Sequence, residues 1–142
     1  MRMLFIAVAV LGAGGLGFWF FAPQSEDVVS QEQVSGEAIV EIELPSLLSA
    51  NASAGKTAFE SVCADCHGIN AVGKVGLAPP LVHIIYEPSH HADEAFQRAV
   101  ALGVRGHHWP FGNMPPVEGL TRGDVAMIIA YVRELQVANG IE

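Results

Sequence analysis

Cys63-Ala64-Asp65-Cys66-His67 places two thiols and an imidazole on one helical turn. The pattern C-x-x-C-H is the attachment signature of a c-type haem. Each residue type has a chemical task in it. A thiol adds to a haem vinyl group to give a thioether, and two thiols three positions apart can take the two vinyls. The histidine directly after them then lies where a ring nitrogen can serve as the proximal iron ligand. These are the only two cysteines in the chain, so no structural disulfide competes for them. The other chemistries open to the spacing are a redox disulfide and half of a zinc site. The first calls for a βαβ surround, which the patterning lacks, and the second for further ligands at a matching interval. One covalent haem c is therefore the expected cofactor, bound by Cys63, Cys66 and His67.

A low-spin electron-transfer haem needs a second strong axial ligand. Met1 and Met3 precede or enter an apolar N-terminal run, and Met127 lies in a helical pattern. Met114 alone sits in a loop braced by Pro115 and Pro116. A loop methionine is more often plain packing, but with C-x-x-C-H upstream the expected metal ligands are His67 and Met114. His90-His91 and His107-His108 offer copper ligands or a pH-titrating docking surface. Flanking Glu87, Asp93 and Trp109 equally suit solvated loop histidines. His107 and His108 are also rivals of Met114 for the iron. Trp109 is placed either against a haem propionate or in the core.

Three helices are expected to position these groups. Residues 52–66 form the first, with Gly55 and Phe59 eight and four places before Cys63 on the attachment face. Residues 68–76 are a glycine-punctuated loop, and Ala78-Pro79-Pro80-Leu81 is extended, with carbonyls free to accept hydrogen bonds. A second helix starts around Ser89, with Asp93 and Glu94 in its first turn. It carries an apolar face of Ala95, Phe96, Ala99, Val100 and Leu102, and ends at Gly103. Residues 107–116 cannot be helical. Thr121 opens the last helix in a capping box with Asp124, and Val125, Ile128, Ile129, Val132 and Leu135 form its buried stripe. So little regular packing holds together only if the haem is part of the core.

The ends are of another kind. Residues 3–22 are twenty in a row without a charge, closing in Phe18-Trp19-Phe20-Phe21. That length spans a bilayer core, and the aromatic cluster suits an interface. A signal peptide cut after Ala22 would leave Phe20 at −3 and Pro23 at +1, both poor, so 1–22 reads as an uncleaved anchor. Arg2 precedes the span and acids follow it, which places the N-terminus in the cytoplasm and the domain outside. Residues 23–48 are an acidic linker, with partial strand-like alternation at 39–44. Residues 49–142 form the haem domain. With Arg2 set aside, six basic residues face fifteen acids. No basic patch for nucleic acid exists, and a partner is steered by an acidic or apolar face.

Over residues 50–140 the chain resembles class I, mitochondrial-cytochrome-c-like, c-type cytochromes in a bacterial membrane-anchored form. The resemblance is carried by Gly55, Phe59, Cys63, Cys66, His67, Pro79, Leu81, Met114 and Tyr131, the last seventeen residues after Met114. It implies a small all-α fold of three to four helices around one haem. Gly55 and Phe59 then pack on Ile128 and Tyr131, and the Pro79 carbonyl meets the other ring nitrogen of His67. The usual glycine before that proline is Ala78 here, and the histidine-rich insert before Met114 has no family role.

The implied function is one-electron transfer between periplasmic or membrane redox partners, from a single-pass position in the bacterial inner membrane. Neither an enzymatic activity nor a small-molecule substrate is implied. The alternative from a different class is a haem-based sensor or peroxidase-like enzyme with a labile sixth ligand. A copper-handling histidine module without haem is a further one.

Overall fold

Ser49 sets the start of the first helix. Its hydroxyl accepts the Ala52 amide at 3.2 Å, satisfying one of the amides that a helix start leaves unpaired. The computed structural model describes residues 36–142. The anchor expected at 1–22 and the first part of the linker lie outside these described residues. In chain order the helices are α1 (Ala50–Val62), α2 (Ala64–His67), α3 (Asp93–Leu102) and α4 (Arg122–Ala138). Single 3-10 turns lie at Ile69–Ala71 and Ile84–Tyr86. Among the described residues, pairing of the β type is limited to two isolated bridges, Lys74 with Ala78 and Val104 with Met114. No described helix is long and apolar enough to cross a membrane.

The last helix begins as its sequence dictates. Thr121 Oγ1 accepts the Asp124 amide at 3.2 Å, and the Asp124 carboxylate accepts the Thr121 amide at 2.9 Å. Val125, Ile128, Ile129, Val132 and Leu135 are all buried. α1 crosses α4 in the most extensive interface between elements. At the crossing, a Cβ on Gly55 would stand 1.8 Å from the Met127 carbonyl oxygen, so only a hydrogen atom fits between the two backbones. One turn further, Phe59 meets Tyr131 edge-on, with ring centroids 5.7 Å apart. The Tyr131 hydroxyl donates to Asn70 Oδ1 at 3.0 Å. Asn70 is left-handed, φ 59, a conformation that asparagine tolerates better than most residues. The helix crossing is thereby tied to the turn just after the attachment stretch.

Three local expectations are revised. The first helix does not run unbroken to Cys66: α1 is capped at Cys63 and the chain resumes as α2. The second long helix starts at Asp93 rather than near Ser89, because the Glu87 carbonyl accepts both the His90 and His91 amides, at 3.1 and 2.8 Å, in a separate turn. Leu102, assigned to the apolar face of α3, is 74% exposed. Only Gln97 of α3 is buried, its Nε2 donating to the Arg122 carbonyl at 3.0 Å. Leu102 and its neighbours Ala95, Ala99 and Val100 line a hollow, while Phe96 also packs against the core and Arg133; the hollow is the physical reason for the exposure of Leu102.

Residues 39–44 form no strand, yet they do not hang free. The Gly36 amide donates to the Val75 carbonyl at 3.0 Å, and the Ile39 amide to that of Val72 at 3.2 Å. Asn139 grips the Glu43 backbone at both its amide and its carbonyl, at 2.8 and 2.9 Å. Ile42 and Leu48 pack against the core.

Candidate functional site

His67 ends α2, and its Nδ1 lies 2.9 Å from the Pro79 carbonyl oxygen. A carbonyl only accepts, so Nδ1 carries the proton and Nε2 keeps its lone pair. Burial holds the imidazole below its ordinary pKa, and the Pro79 bond offsets part of this. The ring is thus a neutral donor of one lone pair at pH 7. The neighbouring Lys74 amide donates to the Ala78 carbonyl at 2.9 Å, fixing the turn that presents Pro79. In the extended segment at 78–81 the carbonyls of Ala78, Pro79 and Leu81 are in use.

Cys63 and Cys66 are free thiols. Burial pushes Cys63 up to about 11, and Cys66 adds a smaller push in the same direction. Redox C-x-x-C centres draw on a thiolate with a lowered pKa. The environment of Cys63 works the other way. Neither cysteine belongs to a cluster of metal-ligating groups among the described residues.

Cys63, Cys66, His67, Pro79 and Met114 all line one cavity of about 800 Å³. Its lining is mostly apolar and includes Val62, Leu77 and Leu102, which are 39%, 47% and 74% exposed. Large apolar side chains left open around a hollow fit a bulky apolar occupant. Met114 is half-buried in this wall. Its backbone is clamped on Val104 by two hydrogen bonds of 2.9 Å. Gly103, at φ +74, lies so close that a Cβ would stand 2.5 Å from the Met114 carbonyl oxygen.

Trp109 supplies the polar counterpart. Its Nε1 is buried and has no hydrogen-bond partner. Burial raises the Tyr86 phenol above its ordinary range and the Trp109 indole offsets part of that, but no hydrogen bond closes on the indole nitrogen itself. A buried donor without an acceptor is costly. In the wall of this cavity it suits a group that brings its own carboxylates, as a haem does with its propionates. Volume, apolar lining, paired thiols, an oriented imidazole and an orphan donor all fit that cofactor.

Two residues that the sequence reading passed over hold the wall together. Gln136 is fully buried, and its Nε2 donates to the carbonyls of Leu81 and Tyr86 at 2.8 and 3.0 Å. Arg133 donates to the Tyr86 carbonyl at 2.7 Å and to Asp93 at 2.9 Å, with Phe96 under its guanidinium. Gln136 falls four places after Val132 on the buried stripe, and a polar residue there was a legible signal for a buried hydrogen-bond donor. Arg133 gave no such signal, since a basic residue on a helix flank is ordinarily solvated.

No individual curated protein matches the chain. A family model described as cytochrome c matches residues 52–136, which takes in α1, the attachment turn, the cavity walls and most of α4. The chain belongs to the cytochrome c family, as an electron carrier with a single covalent haem c and not as an enzyme.

Proposed function

We propose that Cys63 and Cys66 carry the thioethers, that His67 Nε2 and the Met114 sulphur are the axial ligands, and that the domain shuttles single electrons between redox proteins on the outer face of a bacterial inner membrane. The observation that supports this most is the His67–Pro79 hydrogen bond in a cavity whose wall also holds Met114. Bound there, the haem supplies an iron that alternates between ferric and ferrous. His67 is held in one tautomer by Pro79, which raises its basicity as a ligand. Met114 closes the second axial position against solvent and small molecules and raises the potential. Its backbone is held by the two hydrogen bonds to Val104. Residues 3–22 anchor the chain and keep the domain beside the membrane.

The oxidised protein should show the weak long-wavelength band of an iron–methionine bond, and the reduced protein should resist carbon monoxide at neutral pH. An absent band together with ready carbon monoxide binding would favour a sensor or peroxidase-like protein instead. Met114→Ala should keep covalent haem but lower the potential by more than about 0.1 V, a modest part of the roughly 0.8 V that axial ligands span. An unchanged potential in redox titration would remove Met114 from the ligand set. Replacing 1–22 by a cleavable signal should release a soluble cytochrome with an unaltered spectrum. Its retention in washed membranes would place the anchor elsewhere.

A further inference from the structure

We propose that His90, His91 and His108 form a binding site for one divalent transition-metal ion of the zinc and copper class at the rim of the haem cavity. One ring nitrogen from each lies within 4.8 Å of the others. The three come from two separate segments, the turn before α3 and the loop that ends at Met114. His91 Nδ1 lies 2.6 Å from the Ile85 carbonyl oxygen, so it must donate there, and Nε2 is left with a lone pair for a metal. This is the outer hydrogen bond that metal-ligating histidines ordinarily have. The His91 backbone carbonyl is itself held by Arg133, which makes this imidazole the rigid member of the set. The His90 ring is 4.8 Å from His91 and 5.4 Å from His108, and the His91 and His108 centroids are 5.2 Å apart.

Among the described residues no carboxylate forms an ion pair with any of these rings. Protonated imidazoles this close would repel one another, whereas neutral ones can share a cation. An all-imidazole set suits zinc, copper or nickel, with solvent in the fourth position, and gives a hard ion such as calcium or magnesium none of the oxygen ligands it needs.

The position gives the site a consequence. His91 and His108 also line the cavity wall, and His108 lies six residues before Met114 on the same loop. A dication there favours the less positive, ferrous state of the haem, so metal binding raises the potential. By reciprocity, reduction tightens metal binding to the same extent. The metal site stands without the axial-ligand assignment, and only the potential readout rests on haem in this cavity.

The test uses the full-length haem-loaded protein in detergent, titrated calorimetrically with zinc chloride alone. One equivalent should bind saturably and the midpoint potential should rise. His90→Ala alters an exposed side chain outside the cavity wall, so it should leave the haem spectrum unchanged, and His108→Ala removes a second ligand of the set. Each should weaken zinc by more than the roughly 10–100-fold that loss of an outer hydrogen bond costs, and should abolish the potential shift. No saturable binding, or binding undiminished in both variants, overturns the site. Zinc binding with a fixed potential overturns the coupling. A changed haem spectrum in His108→Ala would assign that imidazole to the iron and overturn this use of it.

Discussion

Gly55→Ala is expected to cost at least the roughly 3 kcal/mol at the upper end of overpacking penalties, because the obstacle is backbone and not a movable side chain. The added methyl would stand 1.8 Å from the Met127 carbonyl oxygen and 2.9 Å from the Ile128 amide nitrogen. Relief demands that α1 and α4 move apart, which loosens Phe59 from Tyr131 and, through Asn70, the turn behind His67. For a domain of this size the melting temperature of the haem-loaded protein should fall by more than about 10 °C. Gly123→Ala is the control. It lies in the first turn of α4, where a Cβ meets nothing nearer than Thr121 Oγ1 at 3.5 Å. The change should leave stability level or raise it by about 0.5–1 kcal/mol, by narrowing the freedom of the unfolded chain. Thermal denaturation followed by circular dichroism separates the two. Equal melting temperatures for both variants would show that the crossing at Gly55 is not tight.

Cys63→Ala combined with Cys66→Ala should produce a chain without covalent haem that has no cooperative unfolding transition and little helical signal. The physical reason lies in what the cavity leaves undone. Around about 800 Å³ of space, α3 buries only Gln97, and Leu77 and Leu102 face solvent. A domain this small has no surplus of apolar burial with which to maintain such walls. α1 and α4 would keep some contact through Phe59, Tyr131, Val132 and Leu135, the part of the core that does not need the cofactor. Far-ultraviolet circular dichroism and a thermal scan of the purified double variant are the measurement. A native-like helical spectrum with a sharp melt would mean that the polypeptide packs by itself and that haem is not part of its core.

How far the site could be read from the chain depended on whether its parts were local. C-x-x-C-H is legible because the attachment chemistry acts within one helical turn. The capping box of Thr121 with Asp124 and the stripe from Val125 to Leu135 are legible for the same reason, since hydrogen-bonding and burial periods repeat every few residues. Leu102 misled because an apolar periodicity reports that a face wants cover without saying whether protein or cofactor supplies it. The start of α3 misled because Ser89 resembles a helix entrance, while the Glu87 carbonyl closes a turn on His90 and His91 first.

What the sequence alone determined is chemical identity: a C-x-x-C-H turn of the kind that takes a covalent haem, and helices able to surround that cofactor. Only the tertiary structure decided which distant groups share a wall. It set the Pro79 carbonyl on His67 across twelve residues. It left the Trp109 indole without an acceptor, used Arg133 and Gln136 to hold the loops, and gathered His90, His91 and His108 into one cluster. These are outcomes of chain closure, in which loops of unequal length are brought together by a helix crossing that only Gly55 permits. No local pattern encodes where such loops meet, because their geometry follows from the packing of elements far apart along the chain.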